Sequence, residues 1–258
     1  DTINIINGEC KGVILENGDK INSDYVISSA GIQNTLNRFL RNESSLSSYR
    51  NNLNTVQPSF GHACLYVGFD KPAKDLGITN TNLWIYPGYD HDINTENYMK
   101  DETQEFPVTY VSFASSKDPS WDTEHPGTAT LEAIVPTNFN NFKKWEKEPW
   151  KGRGEEYEKY KEVFSQRIIT KIYENCPHLK DKISYYELSS PLSTRDMAHY
   201  EFGELYGADH TPSRFQQKWL KPKTPIKNLY MTGQDITTVG LPSALMSGAL
   251  TCSAMLNK

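Results

Sequence analysis

The stretch LYMTGQDITTVGLPSALMSGALTCSAML, residues 229 to 256, decides how the rest of the chain is read. Leu229 to Thr232 is a short apolar run that stops at Gly233, the pattern of a buried strand. Ligands of open α/β sheets lie beyond the carboxyl ends of the strands, which puts Gly233, Gln234 and Asp235 at a binding position. A glycine there lets main chain approach a ligand closely, and a carboxylate accepts hydrogen bonds from sugar-type hydroxyls. Gly240 suits a turn and Pro242 the first turn of a helix over 242–256. The start of that helix, with its unpaired N–H groups and dipole, favours a negatively charged partner. Ser243, Ala244, Ser247, Gly248, Ala249, Ser253 and Ala254 leave room for a flat group across the helix. They serve close packing of helix on sheet equally well, and the residues alone leave both readings open.

Composition narrows the classes. The chain has 258 residues, 37% hydrophobic and 12% aromatic, enough for one large domain or two modest ones with a packed core. A net charge of −5 argues against a dedicated nucleic-acid binder. No apolar run approaches the roughly 20 residues of a spanning helix. Cys10, Cys64, Cys176 and Cys252 include no C-x-x-C pair, and no H-E-x-x-H occurs, so neither a metal site nor a disulfide scaffold is expected. The expected location is the cytoplasm. The amino terminus, DTINIING, has no starting Met and no signal-peptide pattern, and the expectation is a fragment of a longer protein.

The pattern changes along the chain. In KGVILENGDKINSDYVISSAG, residues 11 to 31, a strand over Gly12 to Leu15 and a second over Tyr25 to Ser28 flank Asn17-Gly18, which predicts a tight hairpin. Gln33 to Leu40 reads as helix. Strands are expected at 62–69, 83–86, 108–114, 128–135 and 183–188, where β-branched and aromatic residues are bounded by Pro, Gly and Asn. In GEEYEKYKEVFSQRIITKIYENCP, residues 154 to 177, Tyr157, Tyr160, Phe164, Ile168 and Ile172 recur at helical spacing and Pro177 marks the stop. α/β texture at both ends around a strand-rich middle predicts one domain built from residues 1–45 and 226–258, with a second, mixed or antiparallel-sheet domain over 46–225.

NLYMTGQDITTVGLPSALMSGALTCSAML resembles the carboxy-terminal flavin-contacting motif of the phytoene desaturase-like flavoproteins, nearest to the retinol saturase and carotenoid isomerase group. SSPLSTRDMAHYEFGELYGADHTPSRF, 189 to 215, is similar to a family segment with a later Gly-x-x-Tyr-Gly, and residues 12–31 resemble the strand pair that ends near the flavin. The resemblance is clearest over 185–258. It implies a partial glutathione-reductase-type FAD domain with an inserted substrate domain. It also implies an FAD-dependent oxidoreductase acting on carbon–carbon double bonds of an apolar, polyene-like substrate. Gly233, Gln234 and Asp235 would contact the cofactor's polyol and pyrophosphate, and Gly240, Leu241, Pro242, Ser243 and Ala244 would face its ring. Ala30 and Gly31 add a third contact, and Tyr200, Phe202, Tyr206 and Gly207 form the substrate wall. Tyr206 and His210 are the candidates for a proton donor.

One departure is large. The family's G-x-G-x-x-G turn is missing, since Gly152-Arg153-Gly154 lacks the third glycine and precedes a charged helix, so the isolated chain is expected to be inactive. Two other classes stay open: a non-enzymatic partial domain lacking its flavin half, and a flavin amine oxidase-like enzyme. Arg214, Lys218, Lys221, Lys223 and Lys227 around Phe215, Trp219 and Leu220 read as a solvated loop or as a peripheral membrane contact.

Overall fold

The computed structural model describes residues 1–256 and divides the chain into two compact units. Unit 1 joins Asp1–Ser59 to His199–Lys258, and unit 2 is Phe60–Ala198. The expected boundaries at 45/46 and 225/226 therefore fall inside unit 1. The reason is packing: Leu46, Leu53 and Val56 share a buried cluster with Ile32, Leu36, Ala208, Leu229 and Met231.

In unit 1, β1 (Thr2–Ile6), β2 (Glu9–Ile14) and β3 (Lys20–Asn22) form an antiparallel meander. β4 (Val26–Ser28) pairs in parallel with the last strand of the chain, Leu229–Met231. The predicted hairpin is thus displaced, because Asn17-Gly18 joins β2 to β3 rather than to Tyr25–Ser28. The turn also differs in kind. The Gly18 N–H closes it on the Leu15 carbonyl at 2.9 Å, and of the pair only Gly18 has positive φ, at 88°. This is the glycine bulge of a longer hairpin loop rather than a two-residue turn. The segment expected as helix from Gln33 is a π-helix, Asn34–Phe39.

Unit 2 is an antiparallel sheet of five strands backed by helix. Its strands are β5 (Gly61–Phe69), β6 (Leu83–Ile85), β7 (Thr109–Ser112), β8 (Ala129–Thr137) and β9 (Tyr185–Ser189), in the spatial order β6-β7-β8-β5-β9. Ala63, Leu65, Val67 and Phe69 alternate inward from β5 and meet Phe164, Ile168 and Ile172 of the long helix Gly154–Asn175. All five strands and this helix lie where the hydrophobic periods put them, to within a few residues. The last strand, Leu229–Met231, is β10, and the terminal helix is Leu241–Leu256. The chain thus combines a parallel pair with antiparallel sheets and helices.

Candidate functional site

The site is built from three turns of unit 1. The first follows β4 at Ala30-Gly31, the second is Gly207-Ala208, and the third follows β10 at Gly233-Gln234-Asp235. Asp235 joins them. It is 4% exposed, and its two carboxylate oxygens accept the main-chain N–H groups of Ile32 and Ala208, each at 2.8 Å. Glycine is needed beside it: a Cβ on Gly207 would lie 2.2 Å from Asp235 Oδ1, and Gly207 has a φ of 63°. Gly31, with a φ of 83°, leaves only 3.1 Å between an added Cβ and Asp235 Oδ2. The carboxylate read as facing hydroxyl groups therefore faces inward, as an acceptor for main chain.

Arg214 completes the tie from the other side. Its guanidinium is 2% exposed and donates to the carbonyls of Ala208, Gln234 and Thr237 at 3.0, 2.6 and 3.0 Å. Read in sequence, Arg214 belonged to a basic surface stretch. The structure buries it and packs Trp219 edge-on against Tyr49, while Lys218, Lys221, Lys223 and Lys227 are exposed and Phe215 is 55% exposed. Within this stretch Arg214 is interior, Trp219 and Leu220 are half-buried, and the four lysines and Phe215 are at the surface.

A small cavity of about 10 Å³, roughly room for one water, lies over these turns, with Ala30, Gly31, Tyr200, Glu204, Gly207 and Asp235 among its walls. Of the expected substrate wall, Tyr200 and Gly207 line it, while Phe202 and Tyr206 do not. Glu204 was not singled out in the sequence, where a lone Glu between aromatics reads as surface. Its side chain is buried, with 2% of the residue exposed, and accepts the Phe202 N–H at 2.9 Å. Burial holds its carboxyl above the usual 4.5, and the nearby Asp235 carboxylate pushes the same way. A carboxyl whose folded value is raised binds its proton more tightly in the native state, so its stabilising effect is complete below pH 4.5. It is lost as pH rises through the raised value. Glu204→Gln is accordingly expected to flatten the fall in stability between pH 4.5 and the raised value, and to raise the urea midpoint at neutral pH. An unchanged slope of midpoint against pH would show that Glu204 ionises normally.

His210 is held differently from a proton donor. Its Nε2 accepts the Val239 N–H at 2.8 Å, and burial followed by the Arg214 charge lowers its pKa. Tyr206 is fixed through its main chain, whose N–H donates to Ser59 Oγ at 2.9 Å.

The start of the terminal helix lies outside the cavity. Leu241 is 77% exposed, Pro242 and Ala244 are exposed, and Ser243 Oγ bonds to Thr238 Oγ1 at 2.5 Å. The small polar residues of the helix contact the strand: Ser247 Oγ accepts the Gly233 N–H at 2.8 Å and Thr251 Oγ1 donates to the Met231 carbonyl at 3.1 Å. Among the described residues no group of His, Cys, Asp or Glu could hold a metal, and no helix is long and apolar enough to cross a membrane.

The all-trans-retinol 13,14-reductase of Rattus norvegicus is 34% identical over 97% of this chain, and that of Danio rerio 32% identical over the same share. The chain is a homologue of the all-trans-retinol 13,14-reductases over their carboxy-terminal part. It spans 43% of the length of these relatives. A Danio rerio relative described as an inactive all-trans-retinol 13,14-reductase is 30% identical over 96% of the chain. No family model matches. The crystal structure of an oxidoreductase from Methanosarcina mazei shares the fold, with a TM-score of 0.55 and 17% identity over all of this chain and 48% of that one.

Proposed function

We propose that this chain is the carboxy-terminal part of an FAD-dependent oxidoreductase acting on carbon–carbon double bonds of an apolar, polyene-like substrate. Unit 1 is then part of a glutathione-reductase-type FAD domain and unit 2 the substrate domain. The observation that carries this reading is the junction of three glycine-bearing turns on one carboxylate, in a chain homologous to reductases named for retinol. Main chain at the third turn is open to close approach. A Cβ on Gly233 would meet nothing nearer than 3.9 Å, and one on Gly240 likewise.

In this reading Ala30, Gly31, Gly233 and Gln234 hold the polyol side of the cofactor through main chain. Asp235 orients those turns instead of touching sugar hydroxyls. The helix start, Gly240, Leu241, Pro242, Ser243 and Ala244, faces the ring and presents the positive end of the helix dipole to negative charge there. A bound flavin supplies hydride transfer. Tyr200, Phe202, Tyr206 and Gly207 remain the proposed substrate wall, with Glu204 added as a buried acid that lines the same cavity as Tyr200 and Gly207. The proposed setting is cytoplasmic with peripheral contact to the membrane that holds the substrate.

A second reading, a non-enzymatic partial domain, is favoured by one observation: a relative described as inactive is almost as similar as the active ones. The two separate in one preparation. The protein expressed with its full natural coding sequence is expected to purify yellow and to reduce all-trans-retinol once its flavin is reduced. A protein that stays colourless after incubation with FAD would sink the oxidoreductase reading.

A further inference from the structure

The two faces of the unit 2 sheet differ in chemistry. One packs on the helix Gly154–Asn175, and Ala63, Leu65, Val67 and Phe69 of β5 point to it. Side chains alternate along a strand, so the residues between these share the opposite face. Strand register orders that face in rows. One row runs Trp84, Tyr110, Ile134, Cys64 and Ser189 across β6, β7, β8, β5 and β9. The next runs Ser112, Glu132, Tyr66 and Glu187. Trp84 and Tyr66 are 61 and 49% exposed, and the Trp84 ring centre lies 4.6 Å from that of Tyr110. This face offers aromatic rings to a flat apolar ligand.

Glu132 stands in the middle of it, half-buried on the central strand β8. The other half-buried carboxylates of unit 2 have partners. Glu102 accepts the Tyr160 hydroxyl, Glu146 pairs with Arg195, and Asp196 pairs with Arg153. Glu132 takes part in no ion pair or side-chain hydrogen bond among the described residues. Lys117 reaches the same row but donates to Ser112 Oγ at 2.9 Å and to Asn82 Oδ1. On the other side stand Tyr66 and Cys64, whose hydroxyl and thiol are pushed up to about 12, chiefly by burial. His62 follows on β5, with its pKa lowered by burial, and Glu187 lies one strand further on. Glu132 is therefore a carboxylate held by solvent alone, among neighbours that keep their own protons. An apolar ligand laid over it would strip that solvent and favour its neutral, protonated form.

We propose that Glu132 is the acid that protonates the double bond, and that it takes up this proton when the polyene covers it. The inference rests on the reading of the whole protein as a reductase of a polyene-like substrate. One carbon of the double bond receives hydride, with both electrons, from a reduced flavin, and the other receives the Glu132 proton. The π bond is replaced by two C–H bonds, the flavin is oxidised, and the carboxylate regains a proton from water for the next turnover.

Proton uptake gives a readout that needs no turnover. The protein expressed with its full natural coding sequence is titrated with all-trans-retinol in weakly buffered solution containing a pH-indicating dye. At about pH 6, above the ordinary glutamate range, binding is expected to take up close to one proton per retinol. Affinity should weaken as pH rises, because the bound form carries the extra proton. Glu132→Gln should bind retinol at least as tightly at that pH, take up no proton, and lower the rate of reduction by about 100-fold or more. Glu174→Gln, at an exposed site on the long helix, should match the native protein in all three respects. The inference is overturned if native binding takes up no proton, or if Glu132→Gln keeps either the uptake or the native rate. A yellow protein that reduces retinol but gives one of those results loses this inference alone. A protein that stays colourless with FAD, or binds no retinol, loses the reductase reading as well.

Discussion

Asp235→Ala is expected to destabilise unit 1 by roughly 3–5 kcal/mol. The variant leaves the buried N–H groups of Ile32 and Ala208 without an acceptor, each an uncompensated loss of about 1–3 kcal/mol. It also removes the charge facing Arg214, which is itself buried. Asp235→Asn keeps one acceptor oxygen but points an amide donor at a second N–H, so it should fall between alanine and the native residue. Hydrogen exchange at Ile32 and Ala208 checks this directly, together with a urea titration. Exchange that is no faster in the alanine variant would mean that a water replaces the carboxylate, and that the three turns are held by something else.

Arg214→Met should have a loss of the same order, roughly 3–5 kcal/mol, although methionine fills much of the same space. What it cannot replace is three charge-assisted bonds to the carbonyls of Ala208, Gln234 and Thr237. The same change removes a positive charge that interacts with the buried Asp235 carboxylate. Arg214→Lys should recover little, because a single ammonium does not span three carbonyls in the geometry of a guanidinium. The reading is checked by a double-mutant cycle with Asp235→Asn. A coupling energy near zero would place the two residues in separate networks and remove the argument for one shared tie.

Both expectations concern a role that the residue types did not announce. Asp235 was legible as special from its place after a strand and a glycine, yet its partners come from residues 203 positions upstream and 27 positions before it. Arg214 was misplaced altogether, since a run of lysines around it made it look like surface. Glu204 gave no local signal, because burial of a carboxylate depends on what folds over it. By contrast the long helix and the five-stranded sheet followed from period and punctuation, as they depend on the alternation of each segment with itself. The Asn17-Gly18 turn was found, but its second strand was not. Tyr25 to Ser28 is apolar enough for either partner, and only the return of the chain at Leu229–Met231 claims it.

The sequence by itself determined the two textures, the strands and the long helix, and a terminal motif similar to that of a flavoprotein family. Those are properties of neighbouring residues, set by side-chain period, turn chemistry and the spacing of small residues. Only the tertiary structure decided which way the terminal motif faces. Its hydroxyls pack on the strand, its leucines face outward, and its aspartate turns in to hold main chain, because each choice depends on groups far away in sequence that leave water only when the chain has closed on itself.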